Sequence, residues 1–352
     1  LNPIIKWASV HKIDITKKFD SKTTMINGDT DATDFVSKLL DDVSKSSAYK
    51  YYRFRSNTTE VHNIINSLSD NEWEDSATRI SNRLYEAEEK AQKQVENLTD
   101  LRRGGLLQIY LENDNATLYV ITKVDYDDYL GESLKKESGL PWEKRTQKVA
   151  IIEFNEEDHI VKVRDTNSTI STYWWDSFLE LVELNSSQKN TKSAFMEIDN
   201  LLTRKVKKKS KIDYWNIRNS VLCYFRNNEG FSITGLIENT LLHYTPDNSS
   251  IDIKSLSEDL LNLPEKKNFD SQFDISISHI KGRIKKNIPL RENLELRFNG
   301  EIENLKDIIK AGEDSEGRKF IKIFSDTGYE EFKSSNNDSA TENSQSDGAR
   351  KE

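Results

Sequence analysis

The chain has 352 residues, 35% of them hydrophobic and 32% charged, with a formal net charge of −9 at pH 7 and a single cysteine. That length suits one large domain or two ordinary ones, and enough Leu, Ile, Val and aromatic side chains remain to build a core, so wholesale disorder is not expected. No apolar run reaches the roughly 18 residues of a spanning helix and no apolar segment opens the chain, so neither a membrane span nor a signal peptide is expected; Cys223 excludes an internal disulfide, which fits a reducing cytoplasm.

Residues 1–55 mix strand and helix. Ile4, Ile5, Trp7, Val10, Ile13 and Ile15 read as strand with short turns, and Asn27-Gly28-Asp29 is a turn signal. Phe35, Leu39, Leu40 and Val43 recur at helical spacing after Asp34. Tyr49, Tyr51, Tyr52 and Phe54 then alternate with Lys50, Arg53 and Arg55. Such a run has two readings: aromatic faces that stack bases between cations, or an amphipathic edge strand with a basic outer face.

Ile80, Leu84, Ala87, Ala91, Val95 and Leu98 step by three or four, which predicts a long amphipathic helix over about 76–99. Arg102-Arg103-Gly104-Gly105 breaks it. Leu106–Leu111 and Ala116–Val124, joined at Asn113-Asp114-Asn115, form the clearest hairpin in the chain. An acidic stretch, Asp125 to Glu132, and a loop around Gly139-Leu140-Pro141 follow, and Lys148–Phe154 with His159–Arg164 reads as a second strand pair.

Trp174, Phe178, Leu181 and Val182 form one helical stripe, and the polar run 185–192 reads as a linker. Phe195, Ile198, Leu201 and Leu202 begin the next helical face, Trp215 to Phe225 another, Ser232 caps a third over Gly235–Leu242, and Leu256, Leu260 and Leu261 mark a fourth. Phe273, Ile275 and Ile277, then Leu294, Leu296 and Phe298, alternate as strands. Phe320, Ile321, Ile323 and Phe324 form a last strand, with Asp326-Thr327-Gly328 as its turn. The expectation is an α+β chain: an N-terminal domain over 1–184 with a mixed, largely antiparallel sheet and a long helix; a helical domain over 193–333 with a small terminal sheet; and a polar disordered tail over 334–352.

Chemistry-bearing motifs are sparse. His11, His62, His159, His243 and His279 show no metal-binding spacing, and no phosphate-binding loop, dinucleotide fingerprint or nucleophile elbow occurs. Asp125, Asp127, Asp128 and Glu132, or Asp114 and Glu153 with Lys123, could be assembled into a magnesium-dependent nuclease site, but any acidic chain offers such sets. The residues make no positive case for an enzyme, and neither a cofactor nor a metal is expected.

The basic clusters say more. Arg204, Lys205, Lys207, Lys208, Lys209 and Lys211 place six cations in eight positions, and Lys281, Arg283, Lys285, Lys286 and Arg291 form a second group. Crowded cations repel, and phosphate both neutralises them and releases counterions. Solvated helix ends are the plainer reading. Lysines grip a backbone and read few bases, so no sequence specificity is expected.

In element order the chain resembles the bacterial 37-kDa nucleoid-associated protein family. The resemblance runs through the helix around Arg79–Leu98, the strands Gly105–Leu111 and Ala116–Lys123, the segment Ser171–Leu179 with the helix through Phe195–Leu202, Ser255–Leu260, and the late strands Leu294–Phe298 and Phe320–Phe324. It covers about residues 60–330 and rests on order and hydrophobic pattern rather than on one motif. It implies a DNA-binding protein of the bacterial nucleoid, which makes double-stranded DNA in the cytoplasm the expected partner; apolar faces on the long helix and the terminal strands make a homodimer the expected assembly. A recruited relative acting through a protein partner, as in anti-phage defence, and a metal-dependent nuclease are the alternatives.

Overall fold

The computed structural model describes residues 4–26, 28, 30–45, 48–69, 71–94, 101, 103–113, 116–142, 148–155 and 158–333. The expectations for Asn27 and Asp29, the helix end at 95–99, Arg102, Asp114 and Asn115, and the tail 334–352 lie outside these residues.

The first half builds strands β1 (Ile4–Ile13), β2 (Thr24–Met25), β3 (Lys50–Phe54), β4 (Gly104–Asn113), β5 (Ala116–Asp125), β6 (Asp127–Leu130), β7 (Lys136–Gly139), β8 (Lys148–Glu153), β9 (Ile160–Asp165) and β10 (Leu181–Glu183). Helices α1 (Thr30–Lys45), α2 (Glu60–Asn66) and α3 (Trp73–Gln94) are interleaved. Eight strands form one antiparallel sheet in the order β10-β3-β9-β8-β5-β4-β1-β2, while β6 and β7 pair as a separate ribbon where a loop was expected around Gly139. The α+β expectation, with a large antiparallel sheet in the N-terminal half, therefore holds.

Strand alternation sorts the side chains into two cores. Leu106, Tyr119, Ile121, Ala150, Ile152, Val161 and Val163 face α3 and meet its Trp73, Ala77, Ile80 and Leu84 stripe. Leu107, Ile109, Leu111, Val120 and Val149 point to the other face, under Val36, Leu39 and Val43 of α1. Strand β4 is buried on both faces because helices cover both, and on the α3 side Gln108 Nε2 donates to the carbonyl of Ala77 at 2.8 Å.

Two expectations change here. The stripe Trp174–Val182 is not one helix: a π-helical turn, Tyr173–Phe178, buries Trp174 and Phe178, and the chain then reverses into β10, which pairs Leu181 with Phe54. Glu180 makes the reversal at φ +57, and its carboxylate accepts from the backbone N–H of Glu60 at 2.8 Å, which satisfies a donor in the first turn of α2. With β10 outside it, β3 is no edge strand.

The second half contains α4 (Ser187–Leu202), α5 (Lys211–Asn227), β11 (Gly230–Ser232), α6 (Ile233–Thr240), α7 (Ile253–Leu261), α8 (Leu263–Lys267), β12 (Gln272–Asp274), α9 (Lys281–Ile284), β13 (Lys286–Arg291) and β14 (Leu294–Phe298). The polar run 185–192 opens α4, because Ser186 accepts from the N–H of Lys189 and caps it. Ser232 caps α6 in the same way through Gly235. Phe195, Ile198, Ile217, Phe225, Phe231 and Phe273 centre the helical core, and Cys223 sits half-buried at its margin.

The described residues up to 299 form one compact unit. Buried polar contacts join its sheet and helical halves: the N–H of Tyr49 donates to Ser271 Oγ at 2.7 Å, and Gln272 Nε2 donates to the carbonyl of Asp165 at 2.9 Å. The described residues from 300 to 333 form a second unit, which holds α10 (Leu305–Ile308), β15 (Ile309–Glu313), β16 (Lys319–Ile323) and α11 (Asp326–Phe332). The late strands thus form separate ribbons, β13-β14 and β15-β16, not one closing sheet. Asp326-Thr327-Gly328 opens α11, because Ser325 accepts from the N–H of Gly328 and caps it.

Candidate nucleic-acid interface

Helix α4 ends in a π-helical turn, Thr203–Lys207, that turns Val206 into the core and leaves its neighbours outside. Arg204, Lys205, Lys207, Lys208, Lys209 and Lys211 are all exposed. Three are held locally: Lys205 pairs with Asp259 at 2.9 Å, Lys209 donates to the carbonyl of Ser250 at 2.7 Å, and the Lys207 ammonium lies 4.9 Å from the centre of the Tyr214 ring. Arg204, Lys208 and Lys211 make no ion pair among the described residues. Ser210 caps α5 by accepting from the N–H of Asp213, so this crowd of cations stands at a helix start, where the macrodipole adds further positive potential.

The second cluster lies on α9 and the start of β13. Ile280 and Ile284 anchor the segment in the core, Lys281, Arg283 and Lys285 are exposed, and Lys286 is half-buried. Asp199, one turn before the end of α4, ties the clusters together. Its carboxylate accepts from Tyr214 Oη at 2.9 Å and Arg218 Nε at 3.0 Å, and the Lys286 ammonium lies 3.6 Å away. Arg218, almost fully buried, continues to the carbonyl of Arg283 at 3.0 Å. Three successive contacts therefore link Lys207 to Lys286, through Tyr214 and Asp199. Burial first, then the neighbouring Asp199, pushes the Tyr214 phenol up to about 12, so it stays a neutral donor. Trp215 stacks on Phe298 at 5.2 Å and fastens the β13-β14 ribbon beside this surface.

The sequence clusters were visible as charge runs, but Asp199, Tyr214 and Arg218 were not. Asp199 and Arg218 lie 19 residues apart on different helices, and no short window contains both. The Tyr49–Arg55 run is no stacking platform: Tyr49, Lys50, Tyr52 and Phe54 are buried, Lys50 pairs with Glu183 at 2.5 Å, and Arg53 and Arg55 meet Asp158 and Asp176.

The nuclease set does not converge. In the register of β5 and β8, Lys123 opposes Lys148 while Leu118 opposes Glu153, which sets Lys123 and Glu153 about 17 Å apart along the strand. Lys123 pairs with Glu88 at 2.5 Å, and Glu153 with Lys162 at 2.5 Å. Asp125 is buried, Glu132 is exposed, and Asp127 and Asp128 lie on the β6-β7 ribbon. Hydrogen bonds from Lys136 and Ser138, with Arg103 beside it, hold Asp128 at about 2. Among the described residues no group of three or more His, Cys, Asp or Glu side chains is placed to hold a metal ion. Nor is any described helix long and apolar enough to cross a membrane.

No protein-family model matches this chain, and no curated protein is significantly similar to it.

Proposed function

We propose that this chain binds double-stranded DNA through its phosphate backbone, at the surface where α4, α5 and α9 meet, as a nucleoid-associated protein of the bacterial cytoplasm. The observation that carries the reading is the Asp199 node. It links two basic runs some 80 residues apart in sequence through one carboxylate, by way of Lys207, Tyr214, Asp199, Arg218 and Lys286. One carboxylate faces two cations directly, and Arg204, Lys208 and Lys211 add exposed charge with no carboxylate partner among the described residues. A duplex supplies a dense row of phosphates for such a surface, and lysine-dominated contacts give little base discrimination. The resemblance in element order to the 37-kDa nucleoid-associated family points the same way, and net acidity elsewhere keeps the remaining surface off the DNA.

The test is binding of unrelated fluorescent duplexes over a salt series, with magnesium present in one arm to read cleavage. Affinity falls with salt and is indifferent to sequence. Arg204→Glu/Lys208→Glu/Lys211→Glu weakens binding by at least about tenfold and flattens the log–log salt dependence, which carries about 0.9 per phosphate contact. Unchanged affinity in the folded triple variant sinks the assignment. No binding at low salt by folded protein transfers the role to a protein partner. The reading includes a homodimer, since Ile4 of β1 is 64% exposed and the two-residue edge strand β2 pairs with β1 only at Ser9 and Val10. A monomer mass by sedimentation at micromolar concentration removes that part.

A further inference from the structure

The second unit carries a surface that the duplex reading does not use. Strands β15 and β16 pair with Lys310 opposite Lys322 and Gly312 opposite Phe320. A two-stranded ribbon has two faces, and alternation puts Lys310, Gly312, Phe320 and Lys322 on one of them. The Phe320 ring lies across Gly312, where a Cβ would meet it at 2.6 Å, so glycine is what lets the ring lie down on the strand. Its outer face stays open, and the residue is 46% exposed. Phe324, just past β16, is 50% exposed, and the ammonium groups of Lys322 and Lys310 lie 4.7 and 5.6 Å from its ring centre.

Charge is sorted along the same ribbon. Arg318 draws Asp314 (2.8 Å) and Glu316 (3.3 Å) to the turn, away from the strands. Glu313 opposes Lys319 on the opposite face. The face with the two rings therefore has lysines and no carboxylate, and neither Lys310 nor Lys322 makes an ion pair among the described residues. In a chain with 60 acidic and 51 basic side chains, two lysines set against aromatic rings and kept clear of carboxylates form a surface complementary to an anion with flat faces.

We propose that this ribbon face binds single-stranded nucleic acid, with unpaired bases stacking on Phe320 and Phe324 and the backbone phosphates meeting Lys310 and Lys322. A duplex cannot use it in this way, because its bases are already stacked on one another. The site is independent of the α4–α5–α9 surface, so either can fail without the other.

The test uses the full chain and a fluorescein-labelled oligothymidylate at low salt, with a duplex of mixed sequence as the parallel probe. Phe320→Leu/Phe324→Leu keeps the apolar volume and removes the stacking faces. It weakens oligothymidylate binding by about tenfold or more, since each stacked base contributes that order, and leaves duplex binding unchanged. Lys310→Gln/Lys322→Gln weakens it as well and reduces its salt dependence. Substituting 5-iodouracil into the oligonucleotide and irradiating the wild-type complex cross-links the peptide that carries Phe320 or Phe324, a readout that needs no variant to fold. Unaltered oligothymidylate affinity in the folded leucine variant overturns the proposal. So does cross-linking confined to residues 204–211, or displacement of the probe from this ribbon only by an acidic peptide.

Discussion

The sheet half and the helical half of the first unit treat lysine in opposite ways. In the sheet half, Lys50, Lys123 and Lys148 are buried, and each ends on a carboxylate: Glu183, Glu88 and Asp165, at 2.5, 2.5 and 2.7 Å. At the end of α4, six cations in eight positions are exposed, and only Lys205 makes an ion pair among the described residues. The buried lysines are structural, because a charge removed from water requires a partner and further hydrogen bonds. Lys148 shows this plainly: Asp165 also accepts from Ser171 Oγ, the Ser171 N–H and the Asn167 N–H, so one carboxylate satisfies four donors. The exposed lysines have no such debt and stay available to an external anion. Charge in the sequence thus marks two unlike things, and burial separates them.

The largest test of this comparison removes a buried partner. Glu88→Ala removes the carboxylate that pairs with the Lys123 ammonium, 2% exposed, and deprives Tyr173 of an acceptor at 3.3 Å. The expected cost is about 3–5 kcal/mol by urea unfolding. Lys123→Met/Glu88→Leu removes both charges and recovers most of that loss. If Glu88→Ala costs no more than a surface substitution, the lysine finds water and the contrast between halves fails.

An intermediate effect belongs to Asp199, which sits between the two regimes. Asp199→Ala leaves Arg218, 3% exposed on its side chain, with the Arg283 carbonyl and no carboxylate, and frees Lys286 and Tyr214. Loss of hydrogen bonds to charged groups predicts about 1.5–3 kcal/mol of destabilisation in the same urea assay. The Tyr214 phenol, no longer beside an anion, titrates below about 12 by absorbance. A stability change within experimental error would show that the node orders nothing. The charge reversals at Arg204, Lys208 and Lys211 are expected to shift unfolding free energy by no more than about 0.5 kcal/mol each, while their effect on duplex affinity is large. A destabilisation as large as that of Glu88→Ala would place these lysines with the structural ones.

Much of the architecture was legible in the residues. The α3 stripe, the β4-β5 hairpin and the Ser232 cap are local patterns, and each formed as its spacing implied. What was not legible depended on distant partners. Lys50, among aromatics, looks like part of a base-stacking run until Glu183, 133 residues later, arrives through β10. Trp174 to Val182 reads as one helix because its apolar spacing fits, and only the left-handed turn at Glu180 divides it. At the candidate interface the cations were visible and the node holding them together was not, since Asp199, Arg218 and Lys286 come from three separate elements.

The smallest expected effect is a pH slope, and it arises in the sheet half. His159 Nε2 donates to Asn66 Oδ1 at 2.7 Å, while its Nδ1 accepts from the N–H of Asn155 at 3.3 Å, a pattern that requires the neutral ring. Burial first, then the neighbouring His62, whose ring centre lies 5.3 Å away, lowers its pKa below the ordinary 6.5, against the opposing pull of Asp158. His11, stacked on Phe19 at 4.9 Å and bonded to Thr23, is lowered by burial as well. In the unfolded chain both rings bind protons near 6.5, so on the acid side of that value the unfolded state holds more protons than the folded one. Stability is therefore intact above pH 6.5 and declines as pH falls through the window between the unfolded and folded values. Urea midpoints at about pH 7.5 and about pH 5.5 measure the slope, and His159→Gln, which keeps one donor and one acceptor without titrating, flattens its share. Neither histidine belongs to the basic surface at 204–211, so duplex affinity measured on folded protein stays level where stability declines. A parallel fall in affinity would mean that the two regions are coupled, and the contrast between them would no longer stand.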